Sequence, residues 1–256
     1  VAPDDAALAG LARLDEPLPE SAAAASATLA LLDEAGSPAT VAIAGGRYLG
    51  FVTGGSRPVA LGAARLATAW DQNAALPVMS PVAARLHEVV TRRLISLFGL
   101  PAGSAAVFVT GAAGYLPPGG RVRGNAPHPS GLPAGAPGRG AGGARALGRQ
   151  GAADLVARTC RHAQTMASSL RDAGLEVLNE VVLNQVLVRA PTDRLTLDLV
   201  AAVHGDGTCW CGPTTWQSRP AMRISICGWA TSGHDVEASA DAIVAACRHV
   251  RAHRRR

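Results

Sequence analysis

Cys209, Trp210 and Cys211, with His204 just upstream, place two thiols and an imidazole in one short stretch, the residue types that ligate transition metals. A structural zinc site needs four such ligands, usually as paired knuckles. No second pair stands at a matching spacing, so no metal centre is expected. The five cysteines, Cys160, Cys209, Cys211, Cys227 and Cys247, are irregularly spaced and fit reduced thiols better than a disulfide framework. The seven histidines stand at no telling distance from a nucleophile or carboxylate.

The glycine-rich stretches are the next place to look for chemistry. Gly45-Gly46 to Gly50, Gly54-Gly55 and Gly205-Asp206-Gly207 do not match a dinucleotide fingerprint, and no Gly-x-Ser-x-Gly elbow is present. All 24 basic residues are arginine and none is lysine. That rules out a phosphate-binding loop of the lysine type. It also removes the only side-chain amine able to form a Schiff base, because arginine stays protonated at any working pH.

The elements that position these residues fall on either side of an interruption. From Gly114 to Gly143, sixteen of thirty residues are Gly or Pro. Too little apolar surface is present there to offset the entropy of ordering, which predicts an extended or disordered junction. Before it, the pattern predicts a helix from about Ser21 to Glu34 and an alanine-rich helix ending at Ala69-Trp70-Asp71-Gln72-Asn73. A further helix opens at Ser80-Pro81, with Val82, Leu86, Val89, Val90, Leu94 and Leu97 on one face, and a short buried strand spans Ala105 to Thr110. Glycine clusters between Val41 and Asn73 imply a backbone that passes close to something.

After the junction a helix is expected from Gly151 to Asp172, with Gly174 as its C′ residue. Strands are expected at Leu175 to Leu178, Gln185 to Ala190, Thr208 to Gly212 and Ala221 to Cys227, and helices from about Asp193 to Val203 and Gly233 to Val250. Ser232 and Asp235 stand at capping-box spacing. A sheet covered on one face by helices is the economical α+β arrangement for this half. The domain reading is therefore 1–111, a junction at 112–147, and a carboxy-terminal α+β domain at 148–256.

With 48% apolar residues the chain reads as a globular protein, and no run of apolar residues is long enough to span a membrane. A cytoplasmic location is expected. The net charge of +5 is concentrated at the terminal Arg254, Arg255 and Arg256, with Arg248 and Arg251 just before them. With aromatics at only 4%, no nucleic-acid partner is expected.

Several longer motifs carry a resemblance. Tyr48-Leu49-Gly50-Phe51-Val52-Thr53-Gly54-Gly55-Ser56, Ala69-Trp70-Asp71-Gln72-Asn73 and Met79-Ser80-Pro81 resemble the amino-terminal region of the pyridoxal-phosphate-dependent group II amino-acid decarboxylases, the aromatic amino-acid and glutamate decarboxylase family. Leu147-Gly148-Arg149-Gln150-Gly151, Val181 to Val188, Asp206 to Gly212 and Ala221 to Ile226 resemble that family's carboxy-terminal small domain. The resemblance implies a type I pyridoxal-phosphate fold of the α/β class, here truncated, with most of the large cofactor domain missing.

It implies pyridoxal phosphate as cofactor, an amino acid as substrate, and Thr110, Gly111 and Ala112 as the start of the turn that receives the cofactor phosphate. Ala113 stands where the family carries a hydroxyl residue, so this turn is incomplete. Arg223 matches a position where an arginine can meet the substrate carboxylate; a surface arginine at a strand edge is the equal alternative. No catalytic residue carries over, because the Schiff-base lysine is absent. Ala112-Ala113-Gly114-Tyr115-Leu116-Pro117-Pro118 looks like the family's turn running directly into the segment that follows that lysine, as an internal deletion would leave it. The expected activity is therefore that of a disabled carboxy-lyase. The alternative is a non-enzymatic module that dimerises with itself or with an intact relative.

Overall fold

In the computed structural model, residues 2–15, 17, 24–72, 77–105 and 135–253 are described, with backbone alone for 135–147. The expected strand at 105–110, the phosphate-turn residues Thr110, Gly111 and Ala112, and most of the expected junction lie outside them. The chain divides into two compact units, Val1–Gly55 with Arg158–Arg256, and Ser56–Ala157. The amino-terminal segment supplies a strand to the carboxy-terminal sheet, a pairing that no local pattern signals.

In the first unit, α1 (Asp5–Gly10) is capped by Asp4, whose Oδ1 accepts from the Ala7 amide at 2.8 Å. Helix α2 (Ala25–Leu31) runs on into a wider turn over Leu32–Gly36, so the expected helix ends near its predicted place. The sheet contains β1 (Tyr48–Leu49), β2 (Glu176–Val177), β3 (Gln185–Arg189), β4 (Trp210–Trp216) and β5 (Arg219–Ser225), in the order β1-β4-β5-β3-β2. Strand β1 runs parallel to β4, and every other pairing is antiparallel.

Strand β4 starts and ends later than the expected Thr208 to Gly212. Pro213 does not stop it, because β1 pairs only with Trp210 and Cys211, and among the described residues no other strand asks for a donor along that edge. Strands β4 and β5 form a hairpin closed by Gln217 and Ser218.

Helices α5 (Gly135–Asp172), α6 (Asp193–Asp206) and α7 (Gly233–His253) complete the described helices of this half, and α5 extends into the second unit. Helical backbone begins at Gly135, inside the expected junction. Pro137 is tolerated there because the first turn of a helix needs no amide donor. The helix breaks at Gly148, whose φ of 63° and ψ of −178° suit glycine almost exclusively.

The core cluster joins Ala163, Met166 and Leu170 of α5, Leu199 and Val203 of α6, and Ala240 and Ile243 of α7. Against them lie Val186, Val188, Met222, Ile224 and Cys211 of the sheet. Alternation sets Leu187 and Arg223 on the opposite, half-covered face.

The expected helix punctuation is present. Gly174 is left-handed, and the Leu175 amide reaches back to the Leu170 carbonyl at 3.0 Å. The Asp235 carboxylate accepts from the Ser232 amide and hydroxyl at 3.0 and 2.7 Å, while the Asp235 amide donates to Ser232 Oγ at 3.2 Å.

The second unit contains α3 (Pro58–Trp70) and α4 (Pro81–Leu97), each with proline in the first turn. Ser80 caps α4 through its Oγ, 3.3 Å from the Ala83 amide. At the other end, the Arg149 guanidinium donates to the Ser96 carbonyl at 3.1 Å, which satisfies a carbonyl that the last helical turn leaves open. Among the described residues no helix is long and apolar enough to cross a membrane.

Candidate site on the open face of the sheet

The register of β1 against β4 sorts side chains into two sets. Leu49 lies opposite Cys211, and both are in the core; Tyr48 lies opposite Trp210, and both are on the other face. There Tyr48, Phe51 and His204 all stack on Trp210, with ring centroids 5.2, 5.3 and 4.9 Å away. His204 reaches from α6, where its Nε2 is 2.7 Å from the Cys211 carbonyl oxygen. A carbonyl only accepts, so Nε2 carries the proton of that contact.

Gly50 makes this packing feasible, because a Cβ at that position would overlap the Trp210 ring. This is the close backbone approach that the glycine cluster implied. The chain then turns through Phe51 and Val52 with φ of 56° and 75°. Such values are costly, above all for a β-branched residue, and they mark a conformation imposed by its surroundings. The Thr53 amide and hydroxyl both donate to the Gly50 carbonyl, at 3.4 and 3.2 Å, and hold the turn. Burial raises the Tyr48 hydroxyl above its ordinary value, which keeps it a neutral donor.

Arg223 lies on the same face of the sheet. Its register partners are Gly212 and Leu187, and Gly212 also borders the Trp210 ring. It is half-buried in the interior of β5, between β4 and β3, and is not a strand-edge residue. Burial raises the nearby Cys227 thiol, while a hydrogen bond from Asn184 Nδ2 at 3.1 Å and the charge of Arg223 pull it down. One face thus carries an aromatic stack and a guanidinium on either side of Gly212.

Of the expected site residues, Arg223 is in this face, whereas Thr110, Gly111 and Ala112 fall outside the described residues. Sequence reasoning missed Tyr48, Phe51, His204 and Trp210 as a group. Three of the nine Phe, Tyr and Trp residues of the chain meet here. Gly50 between Tyr48 and Phe51 was the available signal.

A second cluster gathers below α7. Arg158 donates to the Trp229 carbonyl at 2.7 Å, the Trp229 amide to the Gly54 carbonyl at 3.1 Å, and the Thr231 hydroxyl to the Gly46 carbonyl at 2.9 Å. These bonds tie the glycine-rich segment to the loop before α7. Burial tends to raise the Asp235 carboxyl, but hydrogen bonds from Ser232 and the charge of Arg47 leave it below its ordinary value. Among the described residues no group of three or more His, Cys, Asp or Glu is placed to hold a metal ion.

This α/β architecture, with a small sheet layered by helices, is a truncated form of the type I pyridoxal-phosphate fold. Oryza sativa TDC, crystallised with PLP and tryptamine, superposes with a TM-score of 0.74 at 10% identity, covering 91% of this chain and 89% of that one. Catharanthus roseus tryptophan decarboxylase, in complex with L-tryptophan, gives a TM-score of 0.71 at 10% identity over 89% of each chain. At such identity the likeness establishes the fold. No protein-family model matches the chain, and no curated protein matches it.

Proposed function

We propose that the chain is a catalytically disabled relative of the pyridoxal-phosphate-dependent amino-acid decarboxylases, cytoplasmic and derived from an ancestor whose large cofactor domain has been mostly lost. The fold shared with plant tryptophan decarboxylases and the motifs around Gly50, Gly148 and Arg223 support the ancestry. Pyridoxal phosphate supplies such enzymes with an electron sink for the carbanion left when carbon dioxide departs.

The single observation that carries the disablement is the absence of lysine among 24 basic residues. The donor set does not fit the cofactor, because a guanidinium cannot stand in for the amine that holds it covalently. The purified chain is expected to gain no yellow colour with pyridoxal phosphate, to fix no cofactor after borohydride reduction, and to release no carbon dioxide from aromatic or acidic amino acids. Carbon dioxide release by a preparation confirmed by mass spectrometry and free of host enzyme overturns the reading.

A second reading, a non-enzymatic module that pairs with itself or with an intact relative, is favoured by exposed apolar side chains at both ends of α4. Val78 is 86% and Phe98 68% exposed. Exposed patches of that kind mark partner sites or aggregation liabilities. Size-exclusion chromatography with light scattering separates the two readings: a discrete dimer supports the module and a polydisperse aggregate the relic.

A further inference from the structure

We propose that His249 and His253, one turn apart near the end of α7, form a two-imidazole site for a divalent late first-row metal ion of the Ni(II) and Cu(II) class. The two rings lie 4.1 Å apart between centroids and are inclined at 37°, and both side chains are exposed. Residues four apart on a helix share a face, the spacing by which paired histidines reach one ion in helical metal sites. His253 Nδ1 is 3.1 Å from the His249 carbonyl oxygen. A carbonyl only accepts, so Nδ1 carries the proton of that contact and Nε2 keeps its lone pair for a metal. A backbone carbonyl behind the other ring nitrogen is the usual support of a ligating histidine, because it fixes tautomer and ring orientation together.

The helix under the pair is held in place. Val236, Ala240, Ile243 and Cys247 anchor the inner face of α7 in the core. Arg251, between the two histidines in the chain, donates to the Ala173 and Gly174 carbonyls at 3.5 and 2.9 Å and so ties the last turn to the loop after α5. Ala245, Ala246 and Ala252, the neighbours of the two rings at helical spacing, have no side chain long enough to cover an incoming ion.

The donor set decides which ion fits. Metal–imidazole bonds of about 2.0–2.1 Å let one ion span roughly 4 Å between two nitrogens, so rings this close need only small rotations to share it. Structural zinc takes four protein ligands, and no third His, Cys, Asp or Glu joins the pair among the described residues. Calcium and magnesium require oxygen ligands. Ni(II) and Cu(II) favour imidazole and accept shells that water completes. Binding exchanges two metal-bound waters for two nitrogen lone pairs, and the metal keeps its oxidation state. The charges of Arg248 and Arg251 oppose the ion and are screened by salt, while the negative end of the α7 dipole favours it.

The test titrates Ni(II) into the reduced full-length chain by calorimetry; Ni(II) is the probe because Cu(II) is also reduced by thiols such as the half-buried Cys160 and Cys227. The expected result is one Ni(II) per chain. Its affinity should fall about tenfold or more in His249→Gln and in His253→Gln, because the second imidazole no longer binds within the same complex, and should be unchanged in His87→Gln and His234→Gln. Absence of binding by the unsubstituted chain overturns the proposal, as does full affinity in either site variant. X-ray absorption on the loaded, unsubstituted chain gives a reading that no substitution can disturb. Two imidazoles on each nickel support the site, and a single imidazole or a sulfur neighbour sinks it.

Discussion

Residues 158–256 and residues 56–157 contain helices written with the same apolar periodicity, yet they bury very different amounts of it. In the first region α6 and α7 lie on a sheet, and Leu199, Val203, Val236 and Ile243 vanish into a shared core. In the second, α3 and α4 bury only Ala67, Ala83 and Val90 among their described apolar residues, while Leu66, Trp70, Val82 and Phe98 stay exposed. The stripe on α4, from Val82 to Leu97, is as regular as any in the chain. An amphipathic stripe specifies which face of a helix is to be covered; a core exists only where a second layer supplies the cover.

The comparison breaks if single truncations in the two regions cost the same. Ile243→Ala removes a fully buried side chain from the core cluster, and such a cavity costs about 2–5 kcal/mol. Phe98→Ala, at an exposed position, should stay within about 0.5 kcal/mol of the parent. Urea titrations followed by circular dichroism and tryptophan fluorescence measure both. Equal losses would mean that Phe98 is packed in solution and that the second region has a core of its own.

The contrast also explains what could be read from the chain. Local punctuation was legible: the Ser80 cap, the reciprocal Ser232 and Asp235 bonds, the Gly174 stop and the bounds of β3 all depend on residues within a turn or two of each other. Features built from distant segments were not. Strand β1 has only two residues, too few to show a period, and its partner β4 lies far along the chain. For the same reason Arg223 could be singled out by its motif, while the stack of Tyr48, Phe51 and His204 on Trp210 could not, since it joins two segments far apart in the chain. The β4–β5 turn was hidden for a different reason. Gln217 and Ser218 adopt φ of 48° and 63°, the two-residue hairpin geometry that Asn-Gly signals, without either of those residues.

That turn gives a way to sharpen the comparison inside the well-packed region. Ser218 holds a left-handed conformation that disfavours any side chain, so Ser218→Gly should stabilise the hairpin by about 1 kcal/mol, less whatever the unfolded chain gains in freedom. The urea midpoint should rise without a change in slope. A fall in the midpoint would show that the Ser218 side chain makes a contact worth more than the strain. The gain is expected here because β4 and β5 pair with each other from Gly212 and Arg223 down to the turn, so relief of strain at their turn is felt along the hairpin.

The smallest expected effect concerns pH. Burial pushes the His162 imidazole below its ordinary value, the charges of Arg158 and Arg161 push it further, and Asp235 on α7 pulls it back. The folded chain therefore takes up this proton less readily than the unfolded chain. The stability from neutral His162 is fully present above its unfolded value, about 6.5, and is lost as pH falls through and below it. The Asp235 carboxyl, held low, contributes stability that is lost only in a lower window, as pH falls through its own depressed value. The two effects are thus separable. Between about pH 7 and 5, the unsubstituted chain should lose more stability than His162→Gln, which cannot be protonated there. Because the imidazole is partly exposed and its charges are screened, the difference should be small beside the other two effects. Urea midpoints measured across that range decide the matter. If both proteins weaken in parallel, the proton is taken up elsewhere, and the packing of α5 against the loop before α7 does not hold His162 in its neutral form.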